Sequence, residues 1–137
     1  MRHGVTEMNE FLGKKSYGSS NFKDPGLFDT RLTSRGIEQA KDLNKVLVQR
    51  LESGESFDLL VASPLHRTLQ TATLAFEGLE HIPRVVSPLV RERMWLSSDV
   101  GTDPASLQAE FGPLGWDCAD LPARWWYHND NWENEKE

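Results

Sequence analysis

The first residues with chemical potential lie at the very start of the chain, in the stretch MRHGVTEMN. Arg2 carries a guanidinium group that can bind a phosphate through two parallel hydrogen bonds, and the imidazole of His3 is neutral near pH 7. Gly4 lets the backbone bend and a ligand approach closely. Thr6 and Asn9 add neutral hydrogen-bonding groups. Together these residue types suit a phosphorylated ligand, although a histidine near a terminus is more often simply solvated.

Two further charged residues, Arg67 and Glu92, each follow an apolar stretch that is predicted to be a strand. Sites in α/β proteins gather where strands end and helices begin. Arg67 lies in the first turn of a predicted helix, where free N–H groups and the helix dipole favour an anion, so a cation there is explained by a bound anion. Glu92 can serve as a general acid or base. Taken singly, each residue is more often a solvated surface charge.

Two amphipathic helices are predicted from apolar residues that recur at three- and four-residue steps. The first begins after a cap at Thr33 or Ser34 and ends at residues 53–54. The second has Ser63 as its N-cap and Pro64 as its first residue. The two apolar stripes are Ile37, Ala40, Leu43, Leu47 and Leu51, and Leu65, Leu69, Ala72, Phe76 and Leu79.

The remaining elements complete an α/β pattern. Apolar runs at 57–63 and 83–88 are typical of strands, and the first is expected to be buried on both faces. A short helix is predicted over 104–111, and the polar stretch 10–31 is predicted to be loop. Gly36 lies in the first turn of the first predicted helix although glycine is a weak helix former, so another group is expected to approach the backbone closely there. The alternation predicts three layers, with a mostly parallel sheet flanked by helices.

The bulk composition predicts a single domain over residues 1–137, with an acidic tail at 132–137 that frays. The net charge of −6 argues against nucleic acid and membrane surfaces as partners, so an anion site must come from locally clustered cations. The lone Cys118 and the lack of a membrane-spanning run favour the cytoplasm. Zinc-ligand spacing is absent, and the five tryptophans are expected mainly in the core. Nothing in the sequence sets the oligomeric state.

Four motifs follow one another along the chain: RHGVTEMN, FDTRLTSRGIEQA, VASPLHRTLQTA and PLVRER. Over residues 2–95 their order and spacing resemble the histidine phosphatase superfamily, the phosphoglycerate-mutase-like proteins. The resemblance implies that His3 is a nucleophile that carries a phosphohistidine, and that Glu92 protonates the leaving oxygen and then activates water. It also implies a phosphate pocket, which is formed by Arg2, Arg67, Asn9 and Thr6.

The resemblance implies a small phosphorylated substrate and no cofactor. Two arginines near His3 disfavour the imidazolium form and leave a nitrogen free to attack. They also stabilise the charge on the phosphoryl group in transfer, so no metal is required. The expected activity is hydrolysis of phosphate monoesters.

The family pattern is incomplete in this sequence. The resemblance implies a second pocket histidine, but His66 and His81 lie at unsuitable positions and His128 lacks the preceding strand and following glycine. An apolar strand normally leads into Arg-His-Gly, whereas only Met1 precedes Arg2, so the chain is expected to be truncated at both ends. The sequence ERMW departs from the mutase pattern and favours a phosphatase. Mutase-type phosphotransfer and an impaired protein that binds a phosphorylated ligand or a partner remain the alternatives.

Overall fold

The structure, a computed structural model, describes residues 1–15 and 17–127. The helices and strands of this part alternate along most of its length, and short 3₁₀ turns connect several of them. The elements are α1 (Glu7–Lys14), α2 (Ser34–Glu52), β1 (Leu60–Ala62), α3 (His66–Ala75), β2 (Arg84–Val86) and α4 (Pro104–Phe111). The predicted α/β class is confirmed.

The sheet of the described part consists of β1 and β2, which pair in parallel with Val61 opposite Val85. Helix α3 makes the crossover between them, as parallel pairing requires. The prediction that the first strand is buried on both faces is wrong. Leu60 and Ala62 face the core, whereas Val61 and Val85 are each 44% exposed. Successive side chains in a strand alternate between faces, so a strand that is covered on one face buries every second residue.

The core lies between α2, α3 and the inner face of the sheet. The second predicted stripe is confirmed because all five of its residues are buried, and in the first stripe Ala40 and Leu47 are buried. The amide of Asn44 on α2 donates to the carbonyls of Ala75 and Glu77, both at 2.9 Å. These bonds satisfy exposed carbonyls at the end of α3 and fix it against α2.

Helix α1 corrects the prediction of loop over residues 10–31, since it runs from Glu7 to Lys14. Thr6 is its N-cap and accepts a hydrogen bond from the backbone N–H of Asn9, while the Asn9 side chain accepts from the backbone N–H of Thr6. This reciprocal arrangement is a capping box, which stabilises the start of the helix. Asn9 takes the position that Glu or Gln usually occupies in such a box. The sequence TEMN therefore starts a helix inside a stretch whose composition is that of a loop.

The short helix α4 is confirmed with Asp103 as N-cap and Pro104 as its first residue. Beyond it, Trp116 and Trp125 are buried, and their indole N–H groups donate to Thr73 Oγ1 and to the carbonyl of Thr102, both at 2.9 Å. Core packing of these two tryptophans is thus confirmed. The predictions for His128, Trp132 and the tail at 132–137 lie outside the described residues.

Candidate active site

A cavity of about 500 Å³ opens beside the N-terminus of α1 and the N-terminus of α3. We call it the His3 cavity. It gathers segments from distant parts of the chain, including residues 2–9, the first turn of α3 and the segment after β2. All six residues that the sequence singles out line it: Arg2, His3, Thr6, Asn9, Arg67 and Glu92.

Hydrogen bonds to two helices hold the backbone that carries His3. The N–H of Gly4 donates to Thr71 Oγ1 on α3 at 3.1 Å, and the N–H of Val5 donates to Gln39 Oε1 on α2 at 3.0 Å. Thr6 then forms an antiparallel bridge with Leu32. Helices α2 and α3 therefore position the nucleophile candidate.

Gly4 and Gly36 allow this segment to lie directly on α2. A Cβ on Gly36 would lie 2.1 Å from the carbonyl oxygen of Val5, and a Cβ on Gly4 would lie 2.5 Å from the carbonyl oxygen of Gly36. Both distances are far below van der Waals contact. The close approach predicted at Gly36 is confirmed, and the partner is backbone. For Gly4 the structure gives a different reason from ligand access, namely packing against Gly36.

The imidazole of His3 is prepared for attack through Nε2. Its Nδ1 lies 2.7 Å from the carbonyl oxygen of Gly4, and because a carbonyl only accepts, Nδ1 carries the hydrogen and Nε2 keeps its lone pair. Burial lowers the pKa of His3; the Gly4 hydrogen bond and Glu92 raise it, and the charges of Arg67 and Arg2 lower it further. The net effect lowers the pKa below 6.5, so the neutral form dominates at pH 7.

Arg67 is buried, in contrast to a solvated helix arginine, and only 5% of it is exposed. Its two terminal nitrogens donate to the carbonyl of Ser98 at 2.7 Å and to Asp99 Oδ1 at 2.9 Å. The second oxygen of Asp99 accepts from the backbone N–H groups of Trp95 and Leu96. Sequence reasoning missed Asp99, whose only local signal is a carboxylate placed to cap a turn.

The Nε atom of Arg67 is buried and has no hydrogen-bond partner among the described residues. A buried guanidinium donor without an acceptor is costly. Two of the terminal nitrogens of Arg67 thus donate to the protein, whereas its Nε has no acceptor in this part of the chain.

The start of α3 corrects a prediction. The helix begins at His66 with Leu65 as N-cap, two residues later than the predicted Ser63 and Pro64. The backbone N–H of His66 donates to Asp29 Oδ1 at 2.9 Å, so a residue from a distant loop satisfies the helix end. A cap supplied by tertiary structure leaves no trace in the local sequence.

His66 does not line the His3 cavity, in agreement with its exclusion as the second pocket histidine. Both of its ring nitrogens face carboxylates, Nδ1 at 2.8 Å from Asp29 and Nε2 at 2.8 Å from Glu110. Burial lowers its pKa, but the hydrogen bonds with Asp29 and Glu110 outweigh burial and raise the pKa overall. Glu110 also binds Arg31 through two hydrogen bonds, and its own pKa falls to about 2 through Arg31 first and His66 next.

Thr6 and Asn9 lie in the cavity wall with part of their polar groups already in use. Thr6 is 1% exposed, and its hydroxyl donates to Asn9 Oδ1 at 3.0 Å in addition to its capping bond. Its position suits a residue that orients Asn9 better than one that binds a phosphate. The Asn9 amide nitrogen is the group that a ligand can still use. Glu92 is exposed at the cavity rim, where Oε1 accepts from the N–H of Arg93.

Residues 1–133 match the profile of the histidine phosphatase superfamily (branch 1), and the chain belongs to that family. The 2,3-bisphosphoglycerate-dependent phosphoglycerate mutases of Pasteurella multocida (strain Pm70) and Histophilus somni (strain 2336) are each 32% identical to it over 114 residues, which is 82% of this chain and 44% of each mutase. The chain thus spans less than half the length of these curated relatives.

A solved structure shares the fold. The ecdysone phosphate phosphatase from Bombix mori, crystallised with tungstate, aligns with 81% of this chain and 51% of its own length, at a TM-score of 0.52 and 19% identity. Within the described residues no helix is both long enough and apolar enough to cross a membrane.

Proposed function

We propose that this chain hydrolyses phosphate monoesters through a phosphohistidine intermediate on His3. The observation that carries the proposal is the His3 cavity itself, where a neutral imidazole and two guanidinium groups line one hollow together with a carboxylate. His3 and Glu92 are the catalytic residues in this proposal. Arg2, Arg67 and Asn9 bind the phosphoryl group, and Thr6 orients Asn9.

In the first step, Nε2 of His3 attacks phosphorus and the bond from phosphorus to the ester oxygen breaks. The carboxyl of Glu92 donates its proton to the leaving oxygen, so the alcohol departs neutral. Nδ1 keeps its hydrogen and its bond to the carbonyl of Gly4, which supports the positive charge on the phosphorylated imidazole. Arg2 and Arg67 stabilise the charge on the phosphoryl oxygens.

In the second step, water attacks the phosphohistidine. The Glu92 carboxylate accepts a proton from this water, the bond from phosphorus to Nε2 breaks, and inorganic phosphate leaves. His3 returns to its neutral form and Glu92 to its protonated form. The charge stabilisation in both steps comes from guanidinium groups, so the proposed mechanism routes no step through a metal or cofactor.

The proposed partner is a small phosphorylated molecule, and the proposed compartment is the cytoplasm. The latter rests on Cys118, which is the one cysteine of the sequence and is buried. Burial raises the pKa of its thiol to about 11, which keeps it protonated and unreactive.

The proposal is tested by steady-state hydrolysis of p-nitrophenyl phosphate. We expect His3→Ala to lower kcat/KM by about 10³-fold or more, because the nucleophile is lost. His81→Ala serves as the matched control, since His81 is exposed and does not line the His3 cavity. If His3→Ala turns over the ester at the parental rate, His3 is not the nucleophile.

Mutase-type phosphotransfer is a second candidate, and the names of the 32% identical relatives favour it. It differs in the acceptor, because the phosphoryl group returns to a phosphoglycerate and not to water. Incubation with labelled 2,3-bisphosphoglycerate and 3-phosphoglycerate separates the two: release of inorganic phosphate favours the hydrolase, and exchange of label between the glycerates favours the mutase.

A third candidate is phosphate binding without turnover. His3 is the only histidine that lines the cavity within the described residues, whereas the family resemblance implies two. Saturable binding of inorganic phosphate together with an unphosphorylated His3 would favour this candidate over both enzymes.

A further inference from the structure

The His3 cavity has two unlike parts. The charged groups of Arg2, His3 and Arg67 form a polar part of its lining. An apolar wall is formed on α1, where Met8 and Leu12 are four residues apart and share one helix face. The polar part accounts for a phosphoryl group. The apolar wall requires a separate explanation.

Two aromatic side chains and a leucine add to the apolar lining of the cavity: Tyr17, Trp95 and Leu96. Tyr17 is 60% and Trp95 59% exposed, so both rings offer apolar surface that a ligand can cover. Both rings are nevertheless held in place. Tyr17 packs edge-on against Phe22 at a centroid distance of 5.3 Å, and the guanidinium of Arg93 lies 4.5 Å from the ring centroid of Trp95.

The charges that line the cavity disfavour a second anionic group on the substrate. Within the described residues, Arg2 and Arg67 are the only lysines or arginines that line it. Arg67 already neutralises Asp99, which also lines the cavity, and Glu92 adds a further carboxylate. A substrate carboxylate or second phosphate inside the cavity would therefore meet the carboxylates of Asp99 and Glu92, because the further cation Arg93 lies against the ring of Trp95 and outside the lining.

We propose that the substrate of this site is the phosphate monoester of an apolar, preferably aromatic, alcohol that carries no second anionic group. This inference rests on the proposed function and names its substrate class. The phosphoryl group lies at Arg2, His3 and Arg67, and the organic group lies between the α1 face and the ring of Trp95. A cavity of about 500 Å³ has room for a ligand with one or two rings.

The test compares stable phosphonates, whose binding needs no turnover. Calorimetric titration of the purified chain gives the Kd of phenylphosphonate, methylphosphonate and 3-phosphonopropionate. We expect phenylphosphonate to bind about tenfold or more tightly than either of the others, because only its ring is transferred from water to the apolar wall. Equal affinities, or a preference for the carboxylate-bearing compound, would overturn the proposed substrate class.

A variant locates the effect. Trp95→Ala should lower the affinity for phenylphosphonate more than that for methylphosphonate, and thereby reduce the ratio between them. The exposed Trp95 ring can be removed without opening the core. Val46→Ala, on the exposed face of α2 and outside the cavity, is the control and should leave the ratio unchanged. A ratio that Trp95→Ala does not alter would overturn the assignment of the aromatic wall.

The two proposals fail in distinguishable ways. Equal phosphonate affinities together with turnover of p-nitrophenyl phosphate through His3 would overturn the substrate class and leave the proposed function in place. A clear preference for phenylphosphonate in a chain that hydrolyses no phosphate monoester would overturn the proposed function alone.

Discussion

The two arginines of the His3 cavity are prepared for different tasks. Arg67 is 5% exposed and is fixed by Ser98 and Asp99, so its guanidinium is oriented before a ligand arrives. Arg2 is exposed, next to His3 in the chain. Arg67 can bind the phosphoryl group at a fixed position, and the exposed Arg2 can adjust its position as that group moves from the ester oxygen to the imidazole.

The pKa of His3 yields a prediction at this scale. Because burial and both arginines hold that pKa below 6.5, the acidic limb of kcat/KM that reports protonation of His3 should lie in a range more acidic than pH 6.5. Arg2→Gln removes one positive charge beside the imidazole, so protonation becomes easier, the pKa rises and the acidic limb moves to higher pH. The measurement is the pH profile of kcat/KM for a phosphate monoester.

Lys41→Gln removes the same charge from an exposed position of α2 and is the control for Arg2→Gln. Its profile should superimpose on that of the parent chain. An acidic limb that stays in place, or moves to lower pH, in Arg2→Gln would contradict the electrostatic account of His3.

Among the elements, α3 matters most because its first turn carries Arg67. Asp29 accepts a hydrogen bond from its first N–H and binds the ring of His66, and Glu110 of α4 binds the other ring nitrogen. Asp29, His66 and Glu110 thus form an ionic network that fixes the first turn of α3, the turn that carries Arg67. We interpret His66 as a residue that positions α3.

The contact between α2 and the His3 segment gives a prediction with a built-in control. Gly36→Ala places a methyl group 2.1 Å from the carbonyl oxygen of Val5, so the two backbones must separate. We expect a loss of about 1–3 kcal/mol in the free energy of unfolding, as for other overpacked sites, and lower turnover because the His3 backbone moves. Urea denaturation followed by circular dichroism measures the first, and an assay of hydrolysis the second.

Gly13→Ala makes the same chemical change within α1, where nothing lies within 4 Å of the added methyl group. It should be neutral or stabilise the chain by up to about 1 kcal/mol, since alanine favours helix. If Gly36→Ala behaves like Gly13→Ala, close packing at Gly36 does not position His3.

Sequence patterns predicted the parts of this fold that depend on neighbouring residues. Periodicity located α2 and α3, and the pair Asp103-Pro104 marked the start of α4. Three of the four motifs, RHGVTEMN, VASPLHRTLQTA and PLVRER, contain all six of the residues that the sequence singles out and that line the cavity. Helix α1 was missed because an asparagine completes its capping box within a polar stretch.

The contacts that sequence reasoning could not find join residues that are distant in the chain. Asp29 caps a helix 37 positions later, and Asp99 binds Arg67 across 32 positions. No local pattern encodes such pairs. Exposure of Val61 was also missed, because an apolar run alone does not indicate how many faces of a sheet are covered.

At the scale of the whole molecule, a chain with a net charge of −6 concentrates two arginines in one cavity. It does so although it spans 44% of the length of the mutases that it matches. Its described core is built from α2, α3, α4, one face of a two-stranded sheet and the buried tryptophans near the end of the described part. This core holds the His3 segment, which carries the proposed nucleophile, close to the first turn of α3, which carries Arg67.

The central claim is that His3 becomes phosphorylated during turnover. In the direct measurement, the chain reacts with a phosphate monoester and the reaction is quenched rapidly without acid. Peptide mass spectrometry then locates the phosphoryl group, and its lability in acid is tested. We predict one phosphoryl group on residue 3 that is lost in acid and retained in base. Turnover without any phosphohistidine, or with the label on another residue, would contradict the account.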